Sequence, residues 1–187
     1  MRRTKPFRFP YDEEKLREAI IYVALSSKAD ALFGAVKLNK ILYYADFAAY
    51  RRLGQPITGA SYQKLAEGPA PKQMLPIRRM MVDAGDIRIE VRPYFSGVQH
   101  RLVVEPHIAK DFAPRRLSPK EIEILDEVIQ AMWHMTAREV SDYSHREPGW
   151  LVTNVGDTIP YETAWLSGDT PSQEAEEYGR RLVGLPI

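Results

Sequence analysis

The stretch AVKLNKILYYADFAAYRRL at 35–53 limits the folds open to this chain more than any other. Wound at 3.6 residues per turn, it puts Leu38, Leu42, Ala45 and Ala49 on one face, flanked by Ile41 and Leu53. Tyr43, Phe47 and Tyr50 form a second stripe on roughly the opposite side, and Lys40, Tyr44 and Arg51 share a shoulder beside it. A helix apolar on two sides is packed from two directions. The spacing therefore predicts a central helix with the rest of the domain built round it. The aromatic stripe has two readings at this point: it completes the core, or, edged by Lys40 and Arg51, it meets a protein partner.

The remaining elements follow from caps and periods. Asp12 is placed to cap a helix over about 13–28, with Leu16, Ala19, Ile20, Val23 and Ala24 at helical spacing. Gly54 is placed to end the central helix in the left-handed conformation. A short strand is expected near Ser61–Ala66, broken by Glu67-Gly-Pro-Ala-Pro71. A helix over 72–84 must hold Pro76 in its first turn and end at Gly85. Ile87, Ile89 and Val91 alternate with Arg88, Glu90 and Arg92, and 98–104 returns after a turn at Ser96-Gly97, so 87–104 reads as a hairpin. Ser118-Pro-Lys-Glu121 and Thr136 with Glu139 are capping boxes for two further helices, the second stopped by Pro148. Thr170-Pro-Ser-Gln173 repeats the signature for a last helix closed by Gly184. The expectation is a mostly helical α+β domain with a small antiparallel β-sheet, residues 1–10 forming a basic leader and 11–187 one domain.

Charge is unevenly spread. Residues 1–116 hold 21 Lys and Arg against 12 Asp and Glu; residues 117–187 hold 5 against 13. Mutual neutralisation of two packed halves, nucleic-acid contact, or a charged protein partner each account for such a pattern. With no cysteine, thiolate and disulfide chemistry is excluded. No apolar run reaches membrane-spanning length and no signal peptide is evident, so a cytoplasmic protein without membrane contact is expected.

The stretch SDYSHREPGW at 141–150 invites a catalytic reading, which its spacing does not support. Ser141 and His145 face one another at i, i+4, but Asp142 points about a hundred degrees away and cannot orient the imidazole. The four histidines (100, 107, 134 and 145) have no metal-ligand spacing, and no phosphate loop or dinucleotide fingerprint is present. Neither an enzyme, a metal nor a cofactor is expected. His145 and Trp150 read as a helix end and a buried anchor.

Lys37-Leu-Asn-Lys-Ile-Leu-Tyr-Tyr-Ala-Asp46, Gly54-Gln-Pro-Ile57 and Gly68-Pro69 together resemble the Panacea-domain family of SocA-like antitoxins. The resemblance continues through Leu117-Ser118, Glu139-Val-Ser141, Ser144-His145, Trp150, Gly156 and Ile159-Pro-Tyr161, covering residues 11 to 165. It implies an antitoxin that neutralises, by direct contact, a protein toxin encoded by an adjacent gene, often one that blocks translation; a protease receiving the toxin is a further candidate partner. Lys37, Leu38, Tyr43, Asp46, Gly68, Pro69, His145 and Trp150 then stand as motif positions of structural role. Asp46 occupies a place more often held by histidine.

Period-2 alternation turns Arg88, Arg92 and Arg101 to solvent, with Ile87, Ile89, Val91 and Leu102 beneath. Joined to Lys40, Tyr44 and Arg51, these arginines would form a basic, tyrosine-bearing toxin interface. The alternative is a winged-helix-like DNA-binding regulator, with helix 72–84 reading bases and the hairpin as a basic wing; nucleic acid is the less favoured partner, because Pro76 interrupts that helix.

Overall fold

In a computed structural model of the chain, which describes residues 9–94 and 97–166, helix α1 (Glu13–Ser26) leads into the central helix α2 (Ala35–Leu53). Asp12 caps α1, its carboxylate accepting from Lys15 N at 2.9 Å. Glu13 and Glu14 in the first turn suit the positive end of the helix dipole. The five apolar residues that the spacing selects in α1 are all buried. Ten residues of α2 are buried, and it packs against α1 and against elements from every later part of the domain. Gly54 (φ 77°) closes it, donating to Tyr50 O at 2.9 Å.

Strands β1 (Tyr62–Leu65) and β2 (Gly68–Pro71) pair antiparallel. The Gly-Pro-Ala-Pro run is thus a strand and not the breaker its composition suggests. Register explains the tolerance. Lys72 N donates to Ser61 O at 2.8 Å, so the positions facing β1 are 72, 70 and 68, while Pro69 and Pro71 turn their missing N–H groups outward.

Helix α3 (Met74–Asp83) holds Pro76 as its third residue, within the first turn. The hairpin follows as β3 (Ile87–Tyr94) and β4 (Gly97–Val104), with Ile89 opposite Leu102 and Glu90 opposite Arg101. Ile87, Leu102 and Val104 are buried, but Val91 is 60% exposed because the hairpin's far end extends past the core. The described sheets are two separate two-stranded pairs.

Helix α4 (Pro106–Asp111) has no sequence signal beyond its leading proline; six residues are too few to show a helical period. Helices α5 (Pro119–Ala131) and α6 (Ala137–Ser144) begin at the two capping boxes, both formed reciprocally. Pro148 does stop α6, but the Pro148-Gly149 pair then opens the one-turn helix α7 (Pro148–Leu151) rather than a turn. A 3-10 helix at Tyr161–Trp165 stands in a stretch that reads as loop. The helix expected from Thr170 to Gly184 lies outside the described residues. The fold is mostly helical α+β, and no described helix is long and apolar enough to cross a membrane.

One carboxylate organises the middle of the core. Asp46, 1% exposed, accepts from Thr58 N (2.7 Å), Thr58 Oγ1 (2.5 Å) and Tyr62 OH (2.7 Å). The Tyr161 hydroxyl, which donates to Ala60 O at 2.7 Å, lies 3.3 Å from the same carboxylate. Burial pushes the Asp46 carboxyl above its ordinary range, while the hydrogen bonds from Thr58 and Tyr62 oppose that rise. Asp46→Ala would strand three buried donors, each worth about 1–3 kcal/mol, so urea unfolding should show a loss of about 3–5 kcal/mol. A loss under about 1 kcal/mol would mean that the carboxylate is not holding the 57–62 segment to α2.

Candidate functional site

The structure divides the aromatic stripe of α2. Tyr43 and Phe47 are buried and cluster with Tyr62 and Tyr161 in edge-on and tilted contacts, at ring separations of 4.2 to 6.2 Å within the group. Tyr50 is half-buried against Phe9 and Tyr161. The stripe belongs mainly to the core.

The shoulder is divided as well. Lys40 is 1% exposed and not at a surface, a correction to its expected place at the interface. Its ammonium donates to Glu67 O (2.5 Å) and Pro69 O (3.3 Å) on the β1–β2 turn, whose carbonyls point away from their own ladder. Desolvation lowers its pKa from 10.5 to about 8. Gly68, between these two acceptors, has φ +91°, and a Cβ there would lie 2.3 Å from Ser144 Oγ and 2.6 Å from Lys40 Cε. Lys37, also buried, pairs with Asp30 at 2.6 Å and donates to Trp133 O at 2.9 Å. Leu38 is in the core.

Arg101 is the second correction. It is 5% exposed, and its guanidinium donates to the carbonyls of Asp30 and Lys28 at 2.7 Å, and of Ser27 and Phe33 at 3.3 Å. Alternation does set it on the same face as Arg88 and Arg92, but the turn leaving α1 covers that end of the hairpin. Carbonyls at a helix C-terminus lack intrahelical donors, and the guanidinium supplies them. Arg88 and Arg92 are exposed as expected, both held by Glu90. The six proposed contact residues do not share one surface. Arg88, Arg92 and Arg101 line a cleft with α1 and α4; Tyr44 and Arg51 line another between α2, α6 and the 3-10 helix.

That second cleft, about 290 Å3, is the candidate site. Tyr44 is half-buried and donates to Glu147 Oε1 at 3.0 Å. Tyr143, 48% exposed, lies with its ring 5.5 Å from that of Tyr44. Arg51 is exposed on the rim and makes no ion pair among the described residues. Burial raises the Glu147 carboxyl, opposed by the Tyr44 hydrogen bond and the Arg51 charge; burial and Glu147 in turn push the Tyr44 hydroxyl well up. Trp165, 59% exposed, stands edge-on to Tyr50 nearby.

Sequence reasoning quoted Tyr143 and Glu147 without assigning them. The signal was present for Tyr143: the buried positions of α6 are 140, 141 and 144, which leaves this ring off the buried face.

The residues of 141–150 otherwise serve the fold. Ser141 Oγ donates to Glu67 O at 3.0 Å, and Asp142 lies 3.8 Å from Arg138. His145 is the C-cap of α6 and stacks on Trp150 at 4.2 Å. Trp150 is half-buried, with Lys64 Nζ 3.8 Å from its ring and its own N–H 3.4 Å from Leu65 O. Among the described residues no group of three or more His, Asp or Glu side chains is placed to hold a metal.

A mostly helical α+β domain that satisfies its buried charges internally, and leaves one aromatic cleft open, is the class that fold and site define. The chain belongs to the antitoxin SocA-like, Panacea domain family, whose model matches residues 38–151, from α2 through α7. Searches of curated proteins and of solved structures found no match. Membership points to an antitoxin role in general terms, with a toxin as the partner.

The buried Lys40 amine gives a pH test. In the folded chain it loses its proton near pH 8, whereas the unfolded chain holds that proton to about 10.5. The unfolded state therefore binds more protons across this window, and unfolding free energy rises with pH. Denaturation of wild type and Lys40→Met should show wild type gaining relative stability from pH 8 to 10.5. A flat difference would mean that the amine is not desolvated.

Proposed function

We propose that this chain neutralises a toxin encoded by an adjacent gene, one that blocks translation, by binding it directly through the cleft between α2, α6 and the 3-10 helix. One observation carries the reading: the exposed Tyr143 ring packs on half-buried Tyr44 beside exposed Arg51, which makes no ion pair among the described residues. Tyrosine and arginine at a partly desolvated cleft are the residue types on which binding energy concentrates. Glu147 anchors the Tyr44 hydroxyl, so the floor is ordered before a partner arrives, which reduces the ordering cost of association. Lys40 and Arg101 drop out because they are buried, and Arg88 and Arg92 because they line the other cleft. On this reading the two purified proteins suffice for neutralisation, without a protease.

The DNA-binding alternative loses support at α3. Its exposed positions include Leu75 (67%), Met80 (42%) and Val82 (40%) beside Arg79 and Asp83, and the helix holds no Asn or Gln to read adenine edges.

The test is co-expression with the adjacent gene, followed by calorimetry on the purified pair. Tyr143→Ala and Arg51→Glu, both at exposed positions, should keep the wild-type melting temperature within a few degrees. Each should weaken toxin binding by at least about 2 kcal/mol, roughly thirtyfold, and abolish rescue of growth. Normal rescue by both variants would place the contact elsewhere.

A further inference from the structure

The cleft that takes no part in the proposed toxin contact has a chemistry of its own. It lies between the C-terminal end of α1, the hairpin face bearing Arg88, and α4, and encloses about 590 Å3, within the usual range of small-ligand pockets. Five cationic side chains line it: Lys28, Arg88, Arg92, Arg101 and Lys110. The carboxylates that meet them are Glu90, which holds Arg88 and Arg92, and Glu105, 3.3 Å from Arg88. Asp30, the other nearby acid, is committed to Lys37. Among the described residues a surplus of three positive charges remains.

Lys28 and Lys110 are exposed and make no ion pair among the described residues. Behind the charges runs an apolar strip from Leu25 to Val103 and Ala109. Polar contact alone would not require that strip.

We infer that this cleft binds a nucleoside polyphosphate, its phosphates on Lys28, Lys110, Arg88 and Arg92 and its base against the Leu25–Ala109 strip. Charge supports the orientation. Arg101 has its pKa lowered first by desolvation and then by the charge of Arg92, a repulsion that a bound anion relieves. Arg88 and Arg92, both exposed and held by Glu90, present guanidinium groups in set directions, which suits phosphate oxygens, while Arg101, its terminal donors spent on four carbonyls, contributes charge alone. Glu90, the one carboxylate among the described residues lining the cleft, opposes such a ligand.

The test is calorimetric titration of the whole chain with ATP, GTP and inorganic triphosphate. A nucleotide should bind saturably, more weakly as salt rises, and at least tenfold more tightly than bare triphosphate. Lys28→Ala combined with Lys110→Ala, at exposed unpaired positions, should weaken binding by at least tenfold with an unchanged melting temperature. Glu90→Gln should tighten it, a sign that mere loss of structure does not give. Absence of saturable binding, indifference to both variants, triphosphate binding as tightly as the nucleotides, or tighter binding of a short single-stranded RNA would each overturn the assignment. Toxin rescue by the Lys28, Lys110 variant should stay normal, which separates this site from the toxin contact.

Discussion

The rest of the structure depends on how one buried helix disposes of its charge. Helix α2 carries Lys37, Lys40 and Asp46 into an interior where an unpaired charge costs several kcal/mol. Each is aimed at a different neighbour. Lys37 reaches back to Asp30 in the turn after α1 and across to Trp133 O just past α5. Lys40 reaches the carbonyls of the β1–β2 turn, and Asp46 gathers the donors of Thr58 and Tyr62. Four segments, from 7 to 96 residues away, are thereby pinned to one helix. Hydrophobic packing alone would leave their orientation less determined, because apolar contacts are not directional.

That arrangement decides what is left for the surface. A helix satisfied internally along most of its length offers a partner only the positions its neighbours do not cover, and in its C-terminal half those that line the cleft include Tyr44, Ala48 and Arg51. Helix α6 adds Tyr143, and the 3-10 helix closes the cleft from the far side. Ser141 and Ser144 on the buried face of α6 pack toward Gly68 and the β1–β2 turn, so the helix presenting Tyr143 is fixed by the same contacts that bury Lys40. Structural and proposed contact roles thus sit on different faces of one short helix.

Much of this was legible in the sequence. The caps at Asp12, Ser118 and Thr136 are local hydrogen-bond patterns and fall where the residues put them. Two apolar faces on 35–53 required a central helix, and alternation in 87–104 required a hairpin. What escaped was non-local. Periodicity says which side of an element a residue occupies, not whether another segment covers it. Lys40 is buried by acceptors 27 and 29 residues away, and Arg101 by carbonyls about 70 residues earlier. Strand β2 escaped because prolines count as breakers until the register shows their nitrogens facing outward. Helices α4 and α7 are too short for a period to register.

The central claim is that α2 meets its partner at the cleft it forms with α6 and the 3-10 helix. Hydrogen–deuterium exchange on the chain alone and bound to its toxin tests this most directly. The proposed contact predicts slower exchange in the complex at 143–151 and 161–166, with 87–104 unchanged. Protection confined to 87–104, with 143–151 exchanging as in the free chain, would contradict it.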